Sequence, residues 1–340
     1  MYGKMHSACL YGIEGVMIGV EIDLANGLPQ TNIIGLPDSA IREAVERVRA
    51  AVKNCGYRYP QQRITINLAP ADLRKEGSAF DLAIALGILI TSGQLIMPSA
   101  NEMLFIGELA LDGSLRPVSG VLPMVEAARK NGFKAVLLPE ENAAEAALIS
   151  GINIYAIDHL RALPNPENPQ SNSAMGIKGE ADQNQLYGGV SEEKPSLSAL
   201  PFPVAVTKGK DANERPPVLV LSLEHLKYTP FNGASAASSC AMNEMMDDYS
   251  DVLGQQHVKR ALTIAAAGMH NILLIGPPGT GKTMLIKRLP SILPKLSESE
   301  ALEVTKIFSA AGTLKDAHNG LLRSRPFRSP HHTISADAVI

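Results

Sequence analysis

The sequence predicts an α+β domain over residues 1–162 and the first part of an α/β domain over residues 248–340. Two observations support this division. Up to residue 162, segments with the two-residue apolar period of half-buried strands alternate irregularly with helical segments, which is typical of an α+β layer arrangement. From residue 271, a short apolar run, a glycine-rich loop and a helical segment follow one another, and this order is typical of an α/β phosphate-binding unit.

The N-terminal domain is predicted to open with strands around one capped helix. Residues 16–24 alternate apolar with polar residues, and residues 32–36 form a second short strand. Asp38 is expected to cap the helix that follows, on which Glu43 and Arg47 are placed to pair one turn apart. The remaining predicted elements are a strand over 63–68, an apolar core helix over 80–91, a hairpin joining 104–111 to 114–118 through Asp112-Gly113, a helix over 121–131, a strand over 135–138, a helix over 141–149 and a strand over 152–157.

Residues 163–247 differ in composition from the rest of the chain. Proline and glycine recur throughout, with Asn, Gln, Ser and Glu between them, and no periodic apolar face persists apart from residues 218–221, which fit a lone strand. We therefore predict a largely disordered linker, because an unstructured stretch of this length is uncommon inside one compact domain.

The composition is that of a soluble globular protein, with 45% hydrophobic residues, 4% aromatic residues and a net charge of −3. Few aromatic residues argue against a reader of single strands built on stacking platforms, and the net charge means that a nucleic acid would need a local basic patch. The scattered cysteines Cys9, Cys55 and Cys240 suit neither a disulfide framework nor a metal site, and they indicate a reducing cytoplasm. We expect neither a signal peptide nor a membrane span, because the most apolar window, residues 82–90, is far shorter than the ~20 residues a span requires.

The strongest motif of the chain is a phosphate-binding loop that fits the pattern G-x-x-x-x-G-K-[ST] without a mismatch. The predicted strand 271–275 precedes it and a helix over 284–289, ended by Pro290, follows it. This context argues against a glycine turn that matches by chance. Lys282 is expected to reach the β- and γ-phosphates of a nucleotide, and the Thr283 hydroxyl is expected to ligate Mg²⁺. The predicted nucleotide-binding residues are Gly276, Pro277, Pro278, Gly279, Thr280, Gly281, Lys282 and Thr283.

Two further features follow the loop. Ser297 and Glu300 have the spacing of a capping box, which predicts the start of a helix. Arg323, Arg325 and Arg328 form a basic cluster that is a candidate contact for DNA phosphates or for a neighbour's nucleotide, although a solvated surface is the commoner explanation of such a run.

Several motifs together resemble one known family. They are Gly35-Leu36-Pro37-Asp38, Asn67-Leu68-Ala69-Pro70-Ala71-Asp72, Gly77-Ser78-Ala79-Phe80-Asp81-Leu82, Asp251-x-x-Gly254-Gln255, Lys259-Arg260-Ala261-Leu262, Ala265-Ala266-Ala267-Gly268, His270-Asn271 and Arg325-Pro326-Phe327-Arg328-x-Pro330-His331-His332-Thr333-Ile334-Ser335. With the phosphate loop, they resemble the Mg-chelatase-like AAA+ ATPases, specifically the bacterial YifB/ComM family. The resemblance covers nearly everything outside residues 163–247.

The resemblance implies a fold and an activity for each half. The first half is similar to the ribosomal-S5-type fold, shared with the proteolytic domain of Lon, and the second to a P-loop NTPase of the AAA+ class. The family implies ATP and Mg²⁺ as cofactors, a ring that is expected to be hexameric, and action on DNA as a branch-migration motor or helicase in recombination or transformation. It also places Gln255 beside the adenine, although a simple helix-start role for this residue is equally open.

The Lon resemblance raises a peptidase hypothesis that the residues themselves disfavour. Ala79 stands where the nucleophilic serine is expected, with Ser78 one position away, and Leu122 stands where the lysine base is expected. Without a base, Ser78 is predicted to be a helix-cap residue. Asp72 and Asp81 flank this segment, and they are expected to cap a turn and a helix rather than to act as an acid–base pair.

Hydrolysis needs residues that we do not find after Thr283. An ATPase of this kind requires an acidic Walker B strand, sensor residues and an arginine supplied by a neighbour, and residues 335–340 contain one Asp that lies before that strand in the family. The chain is expected to resemble the first two-thirds of its family, so that nucleotide binding is predicted more firmly than turnover. His331 and His332 are poor metal ligands, because adjacent residues of a strand face opposite sides.

Two other functions stay open on the sequence. One is an ATPase subunit of magnesium chelatase, which the Lon-like first half is expected to exclude. The other is a non-catalytic module in which residues 1–160 dock a partner.

Overall fold

The computed structural model describes residues 1–75, 77–97, 99–163, 219–220, 226–228, 248–314 and 320–329. By their contacts these residues form two units. The first contains the described residues up to 228 together with 308–314, and the second contains 248–307 and 320–329. His331 and His332, the stretch 335–340 and most of the predicted linker lie outside the described residues.

The larger sheet of the first unit has four strands in the order β1-β2-β4-β3. The strands are β1 (Tyr2–Tyr11), β2 (Glu14–Ala25), β3 (Gln30–Ile34) and β4 (Arg63–Ala69). β2 is antiparallel to β1 and to β4, whereas β3 is parallel to β4. Ile18, Val20 and Ile22 of β2 are fully buried, which confirms the predicted alternation because successive side chains of a strand point to opposite faces.

Two helices pack beside this sheet. Helix α1 (Ser39–Asn54) makes the crossover that the parallel pair β3–β4 requires. The Asp38 carboxylate accepts a hydrogen bond of 2.8 Å from the Ile41 amide, which confirms the predicted cap. Helix α2 (Asp81–Thr91) is buried over almost its whole length and contacts α1, β1 and β2, as expected of a helix that is apolar on every side.

The second sheet of this unit is parallel, with the strand order β10-β9-β6. Its strands are β6 (Met103–Phe105), β9 (Ala135–Pro139) and β10 (Asn153–Ile157), and the helices α3 (Val121–Lys130) and α4 (Glu140–Ala146) lie between them in the chain. The first unit is therefore a mixed α/β structure that contains a parallel sheet.

The predicted hairpin 104–118 is correct only in its inner part. β7 (Glu108–Leu109) pairs antiparallel with β8 (Leu115–Arg116), whereas residues 103–105 belong to the parallel sheet. Leu104 and Phe105 are fully buried. A strand buried on both faces is typical of a parallel sheet and lacks the alternation that marks a half-exposed hairpin.

Two described stretches of the predicted linker pair with the first unit. β11 (Leu219–Val220) is parallel to β5 (Leu95–Ile96), and Lys227 forms an antiparallel bridge with Tyr155 of β10. Among the helices that the structure describes, none is both long and apolar enough to cross a membrane.

The described part of the second unit is helical. Its helices are α5 (Gln256–Ala267), α6 (Lys282–Lys287), α7 (Leu289–Ile292) and all but the last three residues of α8 (Glu298–Ala310), which belong to the first unit. Pro290 therefore lies in the first turn of a new short helix instead of simply ending the preceding one. A small core of Tyr249, Val252, Leu262 and Leu285 holds these elements together.

The predicted strand 271–275 is not formed. These residues have no regular secondary structure, and the side chains of Leu273 and Ile275 are 80% and 88% exposed. A strand is stabilised by hydrogen bonds to neighbouring strands, and the described residues of the second unit contain no strand that could pair with it. The predicted strand is therefore wrong for residues 271–275.

Candidate functional site

The phosphate loop has the backbone geometry that its glycines predict. Gly279 and Gly281 have φ values of +84° and +81°, in the left-handed region that L-residues with a Cβ adopt at a cost. No other atom lies within 4 Å of a Cβ built at either position. Glycine is thus required here by backbone conformation, and the space beside the loop is open.

Lys282 is folded back over this loop. Its Nζ donates hydrogen bonds to the carbonyl oxygens of Gly276, at 2.8 Å, and of Pro277, at 2.7 Å. It also lies 3.3 Å from Thr280 Oγ1. The ammonium group therefore lies at the mouth of the loop, bonded to two neutral acceptors that anionic phosphate oxygens could replace. Thr283, in the first turn of α6, is exposed.

A buried arginine holds the far end of α6, and no sequence pattern except its charge pointed to it. Arg288 donates from Nε to the Asp248 carbonyl at 3.0 Å and from Nη1 to the Met284 carbonyl at 3.2 Å, and its Nη2 lies 3.5 Å from the Asp251 carboxylate. Tyr249 OH donates to the Leu285 carbonyl at 2.7 Å, and burial raises the pKa of this tyrosine. These bonds join the helix that carries Lys282 to the start of the unit.

Gln255 lies at the start of α5 in a left-handed conformation, with φ of +56°. A non-glycine residue in this region is strained and is often found at functional sites. In the described part of the chain, no hydrogen bond joins its side chain to the phosphate loop.

The predicted capping box is confirmed. The Glu300 amide donates to Ser297 Oγ at 3.3 Å, and the Ser297 amide donates to Glu300 Oε2 at 2.8 Å. The hydrogen bonds from Ser297, with the nearby Arg325 as a smaller cause, lower the pKa of Glu300. Arg325 is 3.6 Å from Glu300 and donates to the Pro294 carbonyl at 2.7 Å.

The three arginines of the basic cluster differ in availability. The Arg325 side chain is 21% exposed and forms an ion pair with Glu300 at 3.6 Å. The Arg323 side chain is 68% exposed, and its distance from the Glu298 carboxylate is longer, at 4.0 Å. Arg328 is also exposed. Arg323 and Arg328 are therefore the more exposed members of the cluster.

The Lon-like segment contains no serine–lysine pair at the expected positions. Ala79 and Leu122 are buried, and the Ser78 hydroxyl donates to the carboxylate of Glu108. Lys75, which the sequence did not single out, is fully buried and donates to the Pro70 carbonyl. Burial lowers the pKa of this lysine.

Asp81 has a partner that the sequence did not predict. Arg47, expected to pair with Glu43, donates instead to Asp81 from Nε at 2.8 Å and from Nη2 at 3.2 Å. The Leu109 amide donates to the same carboxylate at 3.2 Å. Burial raises the pKa of Asp81 to about 6 in spite of these bonds. The pair joins α1 to α2, and Asp81 is not the capping residue that the sequence indicated.

Two family models match the chain. Residues 20–142 match the model described as subunit ChlI of Mg-chelatase, and residues 248–340 match magnesium chelatase, subunit ChlI. The first match covers the half that we expected to exclude a chelatase subunit. The presence of this half therefore does not exclude that function.

Whole-chain comparisons give two relatives of equal similarity. The chain is 38% identical over 336 residues to the competence protein ComM of Haemophilus influenzae, covering 99% of this chain and 55% of that protein. It is 38% identical over 336 residues to the uncharacterized protein YifB of Escherichia coli, covering 99% of this chain and 54% of that protein. The chain thus spans about 55% of the length of these relatives, less than the expected two-thirds.

A more distant similarity covers less of the chain. Over 173 residues the chain is 30% identical to Lon protease 2 of Bacillus subtilis, covering 46% of this chain and 31% of that protein. The two ChlI matches and the alignments to ComM and YifB along nearly the whole chain show that the chain belongs to the Mg-chelatase-like family that includes ComM and YifB.

Proposed function

We propose that this chain binds ATP with Mg²⁺ at residues 276–283. The observation that carries the proposal is the open glycine loop with the Lys282 ammonium bonded to its carbonyl oxygens. Lys282 would exchange these two neutral acceptors for β- and γ-phosphate oxygens, which accept stronger, charge-assisted bonds. The exposed Thr283 would hold the magnesium ion, and Mg²⁺ would neutralise phosphate charge when bound. Gln255 is a second candidate contact, at the base.

We also propose a division of the chain into three regions. Residues 1–162 form most of a Lon-like, S5-type domain without proteolytic activity, residues 163–247 follow it and contribute the paired residues 219–220 and 226–228, and residues 248–340 begin the AAA+ domain. The buried Ala79 and Leu122 support the first assignment, because neither can act as nucleophile or base.

We further propose that the activity served is ATP-driven work on DNA by a ring of subunits in the cytoplasm. The support is the 38% identity, over 99% of this chain, to a protein named for competence. Arg323 and Arg328 are the proposed phosphate contacts. For turnover we rely on the family alone, and we assign the roles of Walker B strand, sensor and arginine finger to no particular residue.

Binding of a fluorescent ATP analogue in the presence of Mg²⁺ tests the nucleotide site. Lys282→Ala is expected to weaken binding at least about tenfold, because it removes a charge-assisted contact. Lys287→Ala is the matched control, since this exposed lysine lies at the other end of the same helix. Equal affinity in wild type and Lys282→Ala would remove the basis of the proposal.

A mobility-shift assay on branched DNA tests the proposed substrate. We expect binding that strengthens with Mg-ATP in the wild type and not in Lys282→Ala, and that falls for Arg323→Ala combined with Arg328→Ala.

The second candidate, a magnesium chelatase ATPase subunit, is favoured by the descriptions of both matching models. This candidate predicts that DNA does not change the affinity for the nucleotide. The alternative of a partner-docking module predicts instead that Lys282→Ala captures its partner as well as the wild type does.

A further inference from the structure

One stretch of the region between the two units is paired with the first unit at a sheet edge. β10 is an outer strand of the parallel sheet, with β9 on one side. On its other side, Tyr155 forms an antiparallel bridge with Lys227, and the Tyr228 amide donates to the Ile154 carbonyl at 2.8 Å. An open strand edge offers unpaired backbone groups, and here residues 226–228 satisfy one of them.

Side-chain packing accompanies this pairing. Leu226 is partly buried against the main hydrophobic core of the first unit, the core that also contains Tyr155 and Ile157 of β10. The Lys227 side chain, by contrast, is exposed. Residues 226–228 therefore alternate inward and outward like a half-buried edge strand.

A second contact lies just upstream in the chain. The backbone of β11, residues 219–220, is parallel to β5, with Leu219 opposite Leu95 and Val220 opposite Ile96. The two described stretches thus lie on two different strands of the same unit. We call residues 219–220 and 226–228 together the strap.

We propose that the strap is an integral part of the first unit, a strand-addition segment that this chain supplies to its own sheet edges. The first domain then closes near residue 228 rather than at 162. The connection to residue 248 shortens from about 85 residues to about 20.

Residue-resolved hydrogen exchange on the full chain tests the strap. The Tyr228 amide is expected to exchange at least about tenfold more slowly than an unstructured amide, because its hydrogen bond must open first. Leu226→Asp places a charge against the core and is expected to return this amide to the unstructured rate, while the amides of α2 stay protected. Lys227→Gln is the matched control and should change neither, because its side chain is exposed.

Tyr228 exchange at the unstructured rate in the wild type, or unchanged protection in Leu226→Asp, would overturn the proposal. If the amides of α2 also lose protection in Leu226→Asp, the variant has unfolded the unit as a whole. A disulfide cross-link in the otherwise intact chain then tests whether residue 227 lies beside residue 155. The bond from the Tyr228 amide to the Ile154 carbonyl makes Tyr155 and Lys227 a non-hydrogen-bonded antiparallel pair. Such pairs have Cα atoms about 4.5 Å apart, within the range of a disulfide.

In a Cys240→Ser background, Tyr155→Cys with Lys227→Cys is expected to form an intrachain disulfide in most molecules. Tyr155→Cys with Lys208→Cys, in which the second cysteine lies about 20 residues upstream and outside the described residues, is the control. Equal yields from the two pairs would show that Lys227 has no fixed neighbour and would overturn the strap.

Discussion

Arg47 and Asp81, 34 residues apart in the chain, form a two-bond ion pair in which the carboxylate is fully buried and the guanidinium is 20% exposed. Asp81 is the first residue of α2, and Arg47 lies in the middle of α1. The Leu109 amide completes the carboxylate's bonds. The pair thus ties together two helices and the start of the β7–β8 hairpin.

Removing the arginine should destabilise the first unit strongly. Arg47→Ala leaves the Asp81 carboxylate buried without its counter-ion, and breaking buried pairs in this way costs about 3–5 kcal/mol. Urea unfolding followed by circular dichroism measures the loss. Arg42→Ala is the control. The Arg42 side chain is exposed and lies earlier on α1, so its removal should shift the urea midpoint little. Matching midpoints for the two variants would contradict a structural role for the pair.

The stability of the first unit should depend on pH through Asp81. Burial raises the pKa of this carboxyl from 3.8 to about 6, so between pH 4 and 6 the folded state binds more protons than the unfolded state. The free energy of unfolding contributed by this group therefore falls as pH rises through this window, by up to about 3 kcal/mol. Asp81→Asn should remove that slope. A slope that persists unchanged in Asp81→Asn would assign it to another group.

Arg288 should matter for nucleotide binding without touching the nucleotide. Its bonds to Asp248, Asp251 and Met284 fix the helix that begins at Lys282. Arg288→Ala should lower the melting temperature of the second unit, because it removes the hydrogen bonds of a buried guanidinium, each contributing about 0.5–1.5 kcal/mol. The affinity for Mg-ATP should fall in parallel. Lys287→Ala, next to it and exposed, should change neither quantity.

The capping box of α8 gives a smaller and separate effect. Ser297→Ala removes the acceptor for the Glu300 amide and should cost about 1 kcal/mol of stability. Ser299→Ala, within the first turn, is the comparison and should cost less. Thermal unfolding of the two variants provides the measurement, and an equal loss would mean that the serine–amide bond contributes nothing.

Local signals predicted local structure well. Asp38 and the Ser297–Glu300 pair each form the predicted cap, because such bonds join residues three positions apart and depend little on the rest of the fold. The continuous apolar run of α2 likewise predicted a core helix correctly.

Structure that depends on distant residues was not predictable from the sequence. Arg47 had a nearby candidate in Glu43, and only the packing of α1 on α2 brings Asp81 closer. Residues 104 and 105 are predicted as part of a hairpin but belong to the parallel sheet, because an apolar run does not show whether its neighbour is parallel or antiparallel. The phosphate-loop residues, Gln255 and the arginines were identifiable by motif or charge; Arg288 was not, because its role depends on burial.

The exposed apolar segment before the phosphate loop has a practical consequence. Residues 271–275 are uncharged and mostly β-branched or leucine, and Leu273 and Ile275 face solvent. Short, uncharged, apolar stretches with free backbone groups are templates for intermolecular cross-β stacking. The purified chain should therefore self-associate through this segment at high concentration. Leu273→Lys should reduce that association and improve solubility, because a charge opposes stacking of the segment.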